Sequence, residues 1–261
     1  MIIAPSAPLD PWNLISPKKI ISMILALSVL QAFGSAVASL MGARTGATVT
    51  GFLGGIISST ATTASLARRS KLRSQKNCSS ELIVFLSATL AMLFEALILV
   101  IIGTTNLHLT NLTIFIGPII ATLFMLFFQY QKREESNEPS QNTDFKILPI
   151  LQLTFFIVVI LSISKTSQIL LGENGLFIVT SLVSLFEIHG SIIANVQMHE
   201  MNNITPNLLS SLLAISIFSS YLSKFLLILT LGSRPLKSKA TKCIMILFFT
   251  LALSWLISVV M

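Results

Sequence analysis

Eight stretches of this chain are apolar for roughly 20 residues each, at about 19–41, 46–67, 80–103, 112–131, 147–170, 174–198, 207–231 and 242–261. A bilayer core of about 30 Å is spanned by roughly 20 residues of helix, so each stretch is long enough to cross. In lipid only helices and closed barrels satisfy their backbone polar groups, and barrel strands alternate over about 10 residues, which these runs do not. Composition agrees: 53% of residues are hydrophobic, only 10% are charged, and the mean hydropathy is +0.85. A soluble domain carries about 25% charged residues. The expected fold class is therefore an all-α polytopic membrane protein of about eight transmembrane helices. Its expected location is a bacterial inner membrane, as a multi-pass protein.

The net charge of +7 sits at the ends of the apolar stretches: Lys18 and Lys19, then Arg68, Arg69, Lys71, Arg73 and Lys76, then Arg234, Lys237, Lys239 and Lys242. Such clusters meet anionic headgroups and set topology, so no nucleic-acid partner is expected. Cys78 and Cys243 are too few for a disulfide framework. The N-terminal stretch has no basic start and carries Pro5, Pro8, Pro11 and Pro17, so it is not read as a secretory signal. Residues 1–17 are expected to form an interfacial segment with Trp12 at the headgroup level.

The polar run QKREESNEPSQNTDFK divides the chain into a first four-helix half (18–131), a cytoplasmic linker (132–146) and a second four-helix half (147–261). A slide of 130 positions pairs Ile20 with Ile150, Val29 with Val159, Leu40 with Leu170, Gly42 with Gly172, Thr50 with Thr180 and Ala64 with Ala194. The span lengths agree as well, so the two halves are expected to be repeats, parallel or inverted. With eight crossings and the N-terminus inside, residues 68–76 and Lys132, Arg133 and Lys146 face the cytoplasm, as the positive-inside rule requires. The 232–242 loop then falls outside with four basic residues, against the rule. Either one polar span (46–67 or 174–198) does not fully cross, or this late loop is tolerated.

The second span is unusually polar. At 100° per residue, Gly51, Gly54, Gly55, Ser58, Thr62 and Ser65 share one face, with Ser59 beside it. Small residues let helices pack closely, and Gly51 and Gly55 have the GxxxG spacing. The density of hydroxyls exceeds what packing needs and suits a polar solute path. The run GFLGGIISSTATTASLARRS at 51–70, preceded by SPKKI at 16–20, closely resembles the signature of a membrane domain of unknown function that is usually fused behind an MgtC/SapB domain. The resemblance covers about residues 17–236. A second motif of that family is occupied by Ser184 to Gly190, with its two acids replaced by Glu187 and His189. A third resembles Ser220 to Lys224 and keeps the lysine. The third span carries Glu95 where that family tends to have a basic residue. The resemblance implies a transport-like role linked to magnesium and ion homeostasis, with this chain standing apart from an MgtC/SapB partner.

Glu95, Glu187, His189 and Lys224 lie deep in apolar spans. Each costs roughly 2.5–3.5 kcal/mol on insertion scales, so each needs protein, water or an opposite charge. Glu95 and Lys224 fall at equivalent depths in the third and seventh spans and are expected to pair. Glu187 and His189 stand on opposite sides of a regular helix, but Gly190 is a place where the helix can break and turn both into one cavity. There Ser58, Ser59 and Thr62 would form a neutral wall opposite Glu187 and His189, with Ser65 a further candidate for the solute path. No metal-ligand spacing, phosphate loop, nucleophile elbow or HExxH occurs, so no cofactor and no enzyme activity are expected and the metal question stays open. His199 and Glu200 read as interfacial. The expected function is a transporter or channel-like permease for a small polar solute or ion. The alternative is a non-transport regulatory or scaffold subunit of a membrane complex. Expected partners are the bilayer and the solute, with a second copy or another membrane protein as further candidates.

This topology predicts that residues 68–79 and 132–146 share the cytoplasmic side. Single cysteines there, in a background lacking Cys78 and Cys243, should resist a membrane-impermeant thiol reagent in intact cells. Labelling of either segment from outside would overturn it.

Overall fold

The computed structural model describes residues 17–41, 46–72, 78–106, 108–130 and 148–260. The expected interfacial segment before Pro17 and the 132–146 linker lie outside them. The described residues form nine helices: α1 (Pro17–Met41), α2 (Ala47–Leu72), α3 (Ser79–Gly103), α4 (Leu109–Tyr130), α5 (Leu148–Leu171), α6 (Glu173–Ser184), α7 (Ile188–Glu200), α8 (Pro206–Leu231) and α9 (Arg234–Val260). Five of them, α1, α3, α4, α8 and α9, are long and apolar enough to cross a membrane, and α5 has 24 residues. The protein is thus an all-helical, multi-pass membrane protein.

The central helix is α3. It is apolar on every side and buried along most of its length, as a helix without a polar stripe must be. Around it α1, α4 and α9 turn one side outward, where Val29, Phe33, Phe124, Phe127, Phe249 and Leu256 stand exposed. Such apolar exposure suits lipid and not water.

Two of the eight apolar stretches do not cross. Helix α2 is interrupted at Ser58, whose backbone is extended (φ −168°, ψ 104°). Beyond it the chain turns back: a Cβ built on Gly54 would lie 2.8 Å from Thr62 Oγ1, eight residues on, where a straight helix would hold them about 12 Å apart. Thr62, Ser65 and Arg69 of the second arm share one cleft with Thr50 of the first. Likewise α6 and α7 are separated by Leu185–Glu187, and Thr180 Oγ1 donates to Asn195 Oδ1 across the turn at 3.2 Å. Both stretches are therefore re-entrant hairpins, α2 folded on itself and α6 folded on α7. Gly172, with φ +62°, allows the tight turn from α5 into α6; its N–H reaches Gln168 O at 2.9 Å and closes the end of α5.

The hairpins enter from opposite ends of the bundle. Ser70 Oγ, at the foot of the α2 hairpin, accepts from Ser233 N–H at 2.9 Å, beside the end of α8 and the start of α9. Cys78, before α3, lies 3.5 Å from Ser233 Oγ. Glu200, at the foot of the α6–α7 hairpin, binds Lys19 of α1 and Thr105 after α3. Since α3 runs between these groups, they lie at its two ends.

This arrangement corrects the eight-crossing expectation, because 46–67 and 174–198 both fold back. It also places the start of α1 at the end opposite Arg68, Arg69 and Lys71, where the eight-crossing expectation puts both on one side. Arg234, Lys237 and Lys239 join the cluster at one end, here the basic face; the end bearing Lys19 and Glu200 is the far face. Eight crossings would put the 104–108 and 232–238 turns on one side. The fold puts them on opposite sides, so Asn106→Cys and Ser238→Cys, in a background lacking Cys78 and Cys243, should label from opposite faces of sealed vesicles. Labelling of both from the same face would contradict the hairpins.

Candidate functional site

A helix that begins inside a bundle leaves its first N–H groups without intrahelical partners. Both hairpin tips meet this need with a side chain. At the first tip Ser58 Oγ accepts from Ala61 N–H at 3.3 Å. At the second, Glu187, also extended (φ −143°, ψ 99°), accepts from His189 N–H at 3.0 Å through Oε1. The caps match in backbone form and differ in charge.

The Glu187 cap opens a chain of ionisable groups. His189 Nδ1 lies 3.1 Å from Glu187 Oε1, and Nε2 lies 3.2 Å from Glu95 Oε2 on α3. The imidazole thus stands between two carboxylates and joins the second hairpin to the central helix. Glu95 and His189 are buried, with side chains 2% and 8% exposed, whereas that of Glu187 is 38% exposed. The chain is closed at Glu95 and open at Glu187. The Glu95–His189 contact is a close charge contact, not an aligned hydrogen bond, and Glu95 has no other hydrogen-bond partner among the described residues.

Lys224 is completely buried on α8. Its Nζ donates to Ser220 Oγ at 2.6 Å and contacts Met92 Sδ of α3 at 3.0 Å. The expected Glu95–Lys224 ion pair is not formed: no carboxylate lies within 4.0 Å of Lys224 among the described residues, and the carboxylate of Glu95 faces His189 instead. The two spans do meet at this depth, through Met92. The thioether is a soft acceptor that reads in sequence as plain core.

The structure separates residues that the sequence grouped. The helix break lies at 185–187, and Gly190 is inside α7. Gly51 and Gly55 press the first arm of α2 onto the backbone of α3, where added Cβ atoms would come within 2.6 Å of Val84 O and 2.5 Å of Ala88 Cα. Gly54 lets the hairpin arms close on each other. Ser59 is buried and accepts through its carbonyl from Thr63 Oγ1 at 2.8 Å. Thr62 and Ser65 line a cleft of about 20 Å3 with Arg69 and Glu81, room for about one water molecule. Of the hydroxyl face, Ser58 is thus at a tip, and Thr62 and Ser65 lie inside the hairpin that carries them.

Sequence reasoning missed the role of Glu200. Its carboxylate accepts from Lys19 Nζ, from Thr105 Oγ1 and, at 2.9 Å, from Thr105 N–H. Burial raises its pKa, but the hydrogen bonds from Lys19 and Thr105 prevail and hold it below the ordinary carboxylate value. A polar cavity of about 580 Å3 adjoins it at the far face, lined by Asn106, His108, His199, Asn202 and Thr205 among others. No group of three or more His, Cys, Asp or Glu side chains among the described residues is placed to hold a metal ion.

Opposed re-entrant hairpins capped by polar side chains, with ionisable groups between apolar spans, define a class: a polytopic helical membrane protein with an interior polar site. Within it, the chain belongs to the family described as a domain of unknown function (DUF4010), whose model matches residues 25–232. No curated protein and no solved structure matches the chain.

The geometry predicts energetic coupling between Glu95 and His189. Loss of one partner strands a buried polar group, so Glu95→Gln and His189→Gln should each cost more than their share of the double variant. A thermal double-mutant cycle should return an interaction of ~0.5–3 kcal/mol, while Glu95→Gln with Lys224→Met should come closer to additive. The reverse ranking would restore the Glu95–Lys224 pair.

Proposed function

We propose that this protein is a transporter of a small polar solute or ion, built from two repeated halves of inverted topology, with its site where the hairpin tips approach the middle of the bundle. The observation that carries this reading is the pair of hairpins entering from opposite ends. Broken helices at corresponding positions of two repeats mark the substrate site in many transporters, because half-helix ends leave polar backbone and caps at mid-membrane.

The positions support the repeat. Ser58 and Glu187 are 129 residues apart, and so are Glu95 and Lys224. On that register α1 to α4 correspond to α5, α6 with α7, α8 and α9. An odd number of crossings in each half, three with one hairpin, inverts the second half relative to the first. The same topology removes the conflict of the 232–242 loop with the positive-inside rule and leaves Lys18 and Lys19 on the other side. The clusters at 68–71 and 234–242 fall on one face, which the positive-inside rule makes the cytoplasmic side of a bacterial inner membrane. The far face, with the start of α1, is then outside.

The Glu95–His189–Glu187 chain is the proton-sensitive element. A neutral imidazole has one N–H and an imidazolium has two. Only the protonated form can serve both carboxylates, so a proton on His189 ties the second hairpin to α3 and its loss frees one contact. The groups that bear on this switch are Glu95 from α3, Glu187 from the hairpin itself and the buried Lys224 from α8. Glu187, the open end, is where protons enter and leave. Ser58 at the opposite tip offers a neutral ligand to the same solute, with Ser59, Thr62 and Ser65 continuing the path into the first hairpin.

A solute survey in proteoliposomes tests the reading. Divalent cations come first because of the resemblance to the domain that accompanies MgtC/SapB. Flux of one solute should depend on the protein and change with pH between about 5.5 and 8. Glu187→Gln or His189→Gln should flatten that profile while the protein still folds. A protein that moves none of the solutes but copurifies with another membrane protein would instead support the regulatory-subunit reading.

A further inference from the structure

The feet of the two hairpins are held by polar contacts, each to the half of the chain that does not carry it. At the basic face Ser70 Oγ accepts from Ser233 N–H at 2.9 Å, and Lys71 Nζ donates to Thr230 O at 3.2 Å. At the far face Glu200 accepts from Thr105, in the turn after α3, and from Lys19 of α1. Lys71 and Glu200 are 129 residues apart, as are Ser233 and Thr104. The two joints therefore stand at corresponding places, one at each end, between a hairpin's return arm and the end of the opposite half's central span, and are made by different residues.

We propose that these two joints are the gates of an alternating-access cycle, the Glu200 joint closing the far face and the Ser70 joint closing the basic face. The proposal rests on the transport reading above. Each joint ties a hairpin to the opposite half, so parting it lets the half that carries the hairpin move against the other at that end while the second joint stays made. The polar cavity of about 580 Å3 beside Glu200, lined from both halves by Asn106, His108, His199 and Asn202, is the far-face entrance that ends at this gate. Both joints are made here, so this is the closed state between the two openings. The gates also differ in strength. Charge-assisted hydrogen bonds are about twice as strong as neutral ones. Every hydrogen bond to Glu200 meets a carboxylate and one is an ion pair with Lys19, whereas at the Ser70 gate only Lys71 is charged and it meets a neutral carbonyl. The Ser70 gate therefore parts more readily, and opening toward the basic face is favoured.

Cross-linking tests the gates without knowledge of the solute. In a background carrying Cys78→Ser and Cys243→Ser, Thr60→Cys near the first tip reports access to an impermeant maleimide from either side of sealed vesicles. With Lys19→Cys joined to Glu200→Cys, labelling of residue 60 should persist from the basic face and fall about tenfold from the far face. With Ser70→Cys joined to Ser233→Cys, the pattern should reverse. Without any cross-link, Glu200→Gln should raise far-face labelling about tenfold, Lys19→Met should do likewise, and the double variant should add little. Labelling that ignores both cross-links, or is unchanged by Glu200→Gln, overturns the gates. Labelling that alternates while no solute crosses would keep the gates and remove the transport reading. Flux that proceeds with both joints locked would do the opposite.

Discussion

A helix that starts in the middle of an apolar bundle exposes backbone N–H groups where water is scarce, and each unsatisfied group costs several kcal/mol. Both hairpin tips meet this constraint in one way, with an extended residue whose side-chain oxygen caps the helix that follows. The rest of the architecture depends on that solution. Because Ser58 and Glu187 close their half-helices locally, two apolar stretches can turn back inside the bundle. Because the second cap is a carboxylate, it draws an ionisable side chain to itself. His189 satisfies Glu187 and in turn reaches Glu95, which links the cap to the central helix.

The interior polarity is distributed so that few groups stand wholly alone. Lys224 is held by Ser220 and the sulfur of Met92, and Asn111 Oδ1 accepts from Ser210 Oγ at 2.7 Å between α4 and α8. Tyr221 Oη, Ser87 Oγ and both amide atoms of Gln197 are buried with no hydrogen-bond partner among the described residues. Unsatisfied polar groups in a membrane interior are costly and mark places where water or a polar solute would be stabilising. They lie on α3, α7 and α8, the helices that also carry Glu95, His189 and Lys224.

Much of the site was legible one residue at a time and little of it pairwise. Glu95, Glu187, His189 and Lys224 stand out because a charge in a long apolar run is expensive, whatever the fold. Their partners do not stand out. Equivalent depth suggested that Glu95 meets Lys224, but depth fixes only one coordinate, and a hairpin arm interposes His189. Gly190 looked like the hinge because glycine tolerates a break, yet the break lies at 185–187, where a carboxylate can cap. Gly51 and Gly55 lie against the backbone of α3 and Gly54 against Thr62, and the spacing of small residues on a helix directly sets how near such a neighbour can come. Glu200 reads in sequence as an interfacial acid, and its partners Lys19 and Thr105 come from distant segments that the sequence does not bring together.

The amino-acid sequence by itself determined the solvent, the helical class, the positions of the apolar segments and the residues whose burial needs compensation. These follow from composition and from the length of helix that matches a bilayer, both of which are local quantities. Only the tertiary structure decided which apolar segments cross, which fold back, and which end of the bundle each loop reaches. The two re-entrant stretches are the more polar ones, 46–67 and 174–198, but polarity alone is compatible with a full crossing as well as with a fold back. What separates the two outcomes is whether a capped break in mid-segment is enclosed by other helices, and that enclosure exists only once α1, α3 and α8 have packed on the first hairpin and α3, α5 and α8 on the second.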